Sequence, residues 1–101
     1  MTQQRWDELV EDSVGGDVTA GTMFGSKGLR TGTKFFAIWW HEQLVLKLPP
    51  AQIEGLVQTG KATLFEPMEG RQMNGWVVVD ATADWTGLSN DAREFVDSLK
   101  R

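Results

Sequence analysis

Few residues of this chain could do chemistry, and each stands in a pattern that can be checked against what the chemistry requires. Gly55-Leu56-Val57-Gln58-Thr59-Gly60-Lys61 has the spacing of a phosphate-binding loop. Such a loop follows a strand, aims amides at the anion from the start of a helix, and holds magnesium with a hydroxyl. Here Ala62 takes the hydroxyl position and the segment closes a helical pattern, so Gly60 reads as a helix cap. Gly25-Ser26-Lys27-Gly28 shares residues with a nucleophile elbow and with the glycine clamp of some RNA-binding domains. The elbow needs glycine where Phe24 stands and the clamp needs flanking helices, so a tight β-turn is the reading. His41 is the single histidine, and a metal site around it would have to be completed by carboxylates such as Glu42. No helical His-x-x-x-His or Glu-x-x-His spacing exists, and His41 reads as a solvent-facing hairpin residue. A triad of Ser26, His41 and an acid has no support from spacing. Asp7, Glu8, Glu11 and Asp12 form a solvated helix face. No catalytic, cofactor-binding or metal-ligating residue emerges, and the chain is expected not to be an enzyme.

Two groups could bind. Lys27, Arg30 and Lys34 form the one basic cluster, beside Phe24, Phe35 and Phe36, and basic groups interleaved with aromatics can hold a nucleic-acid strand by phosphate contacts and stacking. The bland alternative is a solubilising strand edge that discourages aggregation. Trp39-Trp40 is the other group. Neighbours on a strand face opposite sides, so one of the pair is expected outside the main core, where Trp39 or Trp40, with Phe35, would anchor an interface.

The elements that must position these residues follow from periodicity. Trp6, Leu9, Val10 and Val14 recur at helical spacing from Gln3 to Val14, and Gly15-Gly16 ends that helix. Val18 to Phe24 and Leu29 to Thr31 read as strands about a glycine turn. Phe35 to His41 and Leu44 to Leu48 read as an antiparallel hairpin. Pro49-Pro50 stops the strand and suits the first turn of a short helix carrying Ile53, Leu56 and Val57. Strands follow at Ala62 to Met68 and Gly75 to Asp80. A last helix starts near Trp85 behind Asp84 as N-cap, with Trp85, Leu88, Ala92, Phe95, Val96 and Leu99 on its apolar face and Lys100-Arg101 at its end. The order is α-β-β-β-β-α-β-β-α, a mainly antiparallel sheet of five to six strands in an α+β fold. Phe36, Ile38 and Trp40 are expected on one face of the sheet and Phe35, Ala37 and Trp39 on the other, with Trp76 and Val78 alternating against Val77 and Val79. Both faces then want cover, which makes a homodimer one expected arrangement.

Composition sets the outer bounds. With 101 residues, 41% hydrophobic and 24% charged, the chain suits one globular domain over residues 1–101. No apolar run reaches the ~20 residues of a membrane span and the N-terminus lacks a signal-peptide core, so a cytoplasmic protein without membrane contact is expected. The absence of cysteine removes disulfides and thiolate chemistry. A net charge of −4 argues against a dominant nucleic-acid surface.

Taken in order, Thr22-Met23-Phe24-Gly25 with Gly28, Phe35-Phe36-Ala37, Leu44-Val45-Leu46-Lys47-Leu48, Phe65-Glu66-Pro67, Met73 and Trp76-Val77-Val78-Val79 resemble the N-terminal domain of the TfoX/Sxy family. The resemblance runs from about Val18 into the last helix, in the form of a stand-alone domain. YjbR-like proteins, which share a Gly-Trp-Val strand followed by a helix, are the nearest competing family. The resemblance implies an α+β layer similar to type III secretion chaperones, no established catalytic residues or cofactors, and a regulatory role of the kind full-length members have in bacterial natural competence. The expected function is therefore a non-enzymatic binding or regulatory module acting through protein contacts. The alternatives are a nucleic-acid-binding accessory protein using Lys27, Arg30 and Lys34, or a small-molecule binder in the sheet concavity near Phe36, Trp40 and Trp76.

Overall fold

The computed structural model describes residues 2–23 and 25–99, so Met1, Phe24, Lys100 and Arg101 lie outside the described residues. Helix α1 (Thr2–Ser13) is followed by β1 (Val18–Met23), β2 (Ser26–Thr31), β3 (Lys34–Trp40) and β4 (Gln43–Lys47). Helix α2 (Pro50–Gln58), β5 (Ala62–Leu64), β6 (Trp76–Val79) and α3 (Trp85–Leu99) complete the order expected from the sequence. The strands form one antiparallel sheet in the order β1-β2-β3-β4-β6-β5, with β6 inserted between β4 and β5. No helix among the described residues is long and apolar enough to cross a membrane.

Local chemistry sets the helix ends. Pro50 opens α2, where its missing N–H costs nothing. Beyond its last residue, Gly60 adopts φ 75° and donates its amide to Val57 O, while Lys61 N donates to Leu56 O at 2.8 Å. This pair of bonds is a Schellman cap, so Gly60-Lys61 ends a helix instead of cradling a phosphate. Asp84 caps α3 by accepting a bond from the Gly87 amide at 3.1 Å, as its sequence position suggested. Before it, the Thr82 hydroxyl and amide both donate to the Asp80 carboxylate, and these bonds hold the Asp80 carboxyl below its ordinary range.

The helices cover one face of the sheet. Trp6 and Leu9 of α1, Trp85, Ala92 and Val96 of α3, and the half-buried Ile53 and Leu56 of α2 pack on Leu29, Phe36, Ala37, Trp39, Leu44, Leu46, Val77 and Val79. At the centre, Trp39 stacks on Trp6 at 5.5 Å and meets Trp85 edge-on at 5.9 Å. Its indole N–H donates to Gln3 Oε1. Arg5 joins α1 to the start of α3, donating to Ala81 O and Ala83 O while its guanidinium lies 3.9 Å from the Trp85 ring centroid. Thr31 of β2 donates to Asp97 of α3 at 2.6 Å, and Arg93 pairs with the same carboxylate.

Alternation alone misassigns one strand. Leu29 pairs with Ala37 and Arg30 with Phe35, so Phe36 has no opposite number and forms a β-bulge. The extra residue shifts the phase of β3. Phe36 joins Ala37 and Trp39 under the helices, while Phe35 joins Ile38 and Trp40 on the second face, which corrects the expected grouping of Phe36 with Ile38 and Trp40. The second face is partly covered from within the chain. Ile38, Val45, Phe65 and Trp76 are buried there, with Met73 from the β5–β6 connection packed over them. That connection turns at Met68–Arg71, which holds β5 to three residues instead of the run to Met68 that composition suggested. Ser26 to Gly28 also belong to a strand and not to the turn expected of them.

The β3–β4 hairpin turns on His41 and Glu42, with φ of 49° and 62°. Trp40 pairs with Gln43, so this two-residue loop needs the left-handed region at both positions, a geometry that favours Asn-Gly. Each left-handed non-glycine residue costs about 1–2 kcal/mol. Replacing the pair, His41→Asn with Glu42→Gly, should raise the thermal midpoint by about 5 °C or more. Differential scanning calorimetry checks this, and an unchanged or lower midpoint would contradict the strain.

Candidate binding groove on the second face of the sheet

The second face takes odd-numbered residues from β1 and β4 and even-numbered ones from β2 and β6. Gly21 and Met23 of β1, Gly28 and Arg30 of β2, Phe35 and Ile38 of β3, Val45 and Lys47 of β4 and Trp76 of β6 share it, as the ladder pairs Gly21–Gly28, Gly28–Ile38, Ile38–Val45 and Lys47–Trp76 require. Phe35 leans across two strands. A Cβ on Gly28 would meet the Phe35 ring at 3.0 Å and Ala37 O at 2.8 Å, and one on Gly21 would meet the ring at 3.3 Å. Glycine at both positions is what lets the ring lie flat on the ladder.

At the strand ends beside this ring, a groove of about 410 Å³ passes from the second face round to α3, lined by Met23, Phe35 and Trp76 and, from the helix side, by Val96 and Leu99, with Lys34 and Lys47 as its charged members among the described residues. Trp76 is its floor, being only 5% exposed, whereas Phe35 and Met23 are half-buried and Leu99 is 54% exposed. The Lys47 ammonium sits 5.6 Å from the Trp76 ring centroid, a cation held on an aromatic face. Lys47 as a whole is half-buried, which places its charge beside the apolar wall. The arrangement can take an apolar anchor against the aromatics and a carboxylate or phosphate against the two ammonium groups.

The residues singled out by sequence separate. Trp39 is 7% exposed and lies within the helix-side core, so it has no surface to offer a partner. Trp40 is the member outside that core. It is half-exposed on the second face, edge-on to Phe65 at 5.6 Å and beside the His41 ring at 4.7 Å. Lys27, Arg30 and Lys34 do not converge. Lys27 lines the α1 side with Trp6, Arg30 lies on the second face opposite Phe35 and donates to Thr19, and Lys34 borders the groove. Phe36 is 1% exposed and cannot stack with a base or a small molecule, so a concavity uses Phe35 in its place. Lys47 was missed by sequence reasoning because its neighbour Trp76 is supplied by a distant strand.

A second cleft of about 350 Å³ lies at the opposite ends of these strands, lined by Glu42, Gln43, Thr63, Asp80 and Trp85 among others. Thr82 occupies its Asp80 carboxylate, which therefore closes a turn. His41 is exposed, and no group of three or more His, Asp or Glu residues among the described ones could hold a metal.

Three helices on one face of a six-stranded antiparallel sheet, with an aromatic, cation-rimmed groove opening from the other face at the strand ends, define a small α+β domain. Residues 8–95 match the model of the TfoX N-terminal domain, and the chain belongs to that family. No protein of curated function matches it.

The packing of Phe35 predicts opposite outcomes for two glycines. Gly28→Ala must displace backbone or ring and should destabilise by about 1–3 kcal/mol. Gly55→Ala, in α2 with nothing within 4 Å of its added Cβ, should stabilise by about 1 kcal/mol. Urea unfolding of both variants checks the pair, and equal effects would contradict the close approach at Gly28.

Proposed function

We propose that this chain is a non-enzymatic binding module of regulatory type, acting through protein contacts made at the second-face groove. The observation that carries the reading is the pairing of an apolar wall, Met23, Phe35 and Trp76, with a charged rim made of Lys34 and Lys47 in a protein of net charge −4. A groove of this kind fits a partner segment that presents an apolar anchor flanked by carboxylates. Aromatic anchors in desolvated pockets supply most of the energy of such contacts, and rim charges select the partner and its register. At physiological ionic strength screening acts over about 8 Å, so charges farther than that from the groove add little to the attraction its two lysines exert. Membership of the TfoX N-terminal family supports a regulatory role related to that of competence regulators.

The test is recovery of partners from the native cell with wild type, with Phe35→Ala and with Lys34→Glu combined with Lys47→Glu. A partner bound by wild type should be lost or weakened at least about tenfold in both variants, a change of about 1.4 kcal/mol. Binding should also weaken with added salt. Recovery of the same proteins by all three chains would contradict the reading.

A further inference from the structure

The outer edge of β1 is left open by the sheet. β1 is the last strand of the sheet on its side, and its sequence, Val-Thr-Ala-Gly-Thr-Met, carries no charge and no proline. Proteins usually blunt exposed strand edges with one of these, with a bulge, or by making the strand short. The opposite edge follows that practice, because β5 has three residues and α2 packs against it.

The hydrogen-bond phase of β1 can be read from its lower end. Gly32 N donates to Asp17 O, so odd-numbered residues bond inward to β2. Val18 points outward, and there Gly15 satisfies both its amide and its carbonyl at 3.0 Å. The alternation then turns the amides and carbonyls of Ala20 and Thr22 outward, where no strand of the described residues follows. Above them, between α1 and β1, lies an apolar hollow of about 380 Å³ lined by Trp6, Val10, Ala20 and Thr22. Its rim has one acid, Asp7, and one base, Lys27. Val14, just past α1, is 46% exposed.

We propose that this edge is a homodimer interface, in which two copies pair through β1 antiparallel about a two-fold axis at Gly21. In that register Ala20 of each copy stands opposite Thr22 of the other, and each such pair exchanges two hydrogen bonds, using all four outward groups. Gly21 meets its own equivalent at the axis, at the non-hydrogen-bonded position where strands approach most closely and where it has no side chain to clash. The strand is its own complement. Because it is uncharged, two copies bring no like charges face to face, and the hollow's rim is self-neutral. The result is an isologous pair with one continuous sheet.

Multi-angle light scattering of wild type should show twice the 11.3 kDa chain mass as concentration rises towards about 1 mM, a range in which even an association of −4 kcal/mol is visible. The amides of Ala20 and Thr22 should gain protection from hydrogen exchange over the same range. Thr22→Pro removes one outward amide without touching the β1–β2 ladder, so it should keep the fold by circular dichroism and lose the dimer. Ala20→Lys places like charges across the interface and should do the same, which covers the case in which the proline variant fails to fold. A monomer at all concentrations, or a dimer that survives Ala20→Lys in a folded protein, would overturn the proposal.

Discussion

One extra residue in β3 governs how this molecule is arranged. Without the bulge at Phe36, strict alternation would send Phe36 outward and draw Phe35 beneath the helices. With it, the adjacent Phe36 and Ala37 both face the helices, and Phe35 is released to the second face. Two consequences follow from this single phase change. The helix-side core gains a large aromatic on the same face as Trp39, and the second face gains the ring that roofs Gly21 and Gly28 and forms a wall of the groove.

The two faces then play different parts. The helix side is bound by three tryptophans and by Arg5, whose hydrogen bonds and cation–π contact link α1 to the segment entering α3. Aromatic pairs of this geometry contribute about 0.5–1.5 kcal/mol beyond their buried area. This makes the sheet a firm platform. The second face is finished by side chains and by one connection, and it leaves Met23, Phe35 and Trp40 half-buried instead of sealed.

Much of this was legible in the chain itself. Helical spacing of Trp6, Leu9 and Val10, the Pro49-Pro50 stop, Gly60 as a cap and Asp84 as a cap are local signals, and local signals survive folding. That Trp39 and Trp40 must face opposite ways was also legible. Which of them is inside depends on where α1 and α3 deliver Trp6 and Trp85, and no local rule contains that. The bulge was hidden for a related reason: it is a mismatch between two strands, and the apolar run Phe35 to Trp40 fits either phase equally well. The groove required the register of β4 with β6, which brings Lys47 opposite Trp76 from a distant part of the chain. The basic cluster failed as a cluster because residues 27 and 30 differ by an odd number and so emerge on opposite faces of one strand.

The most direct test of the bulge is a nuclear Overhauser measurement on the two adjacent phenylalanines, with selective ring labelling. With the bulge in place, the Phe35 ring protons should give strong contacts to the α-protons of Gly21 and Gly28, and those of Phe36 none. If Phe36 contacts those glycines instead, β3 runs without the bulge, and the assignment of residues to the two faces is wrong.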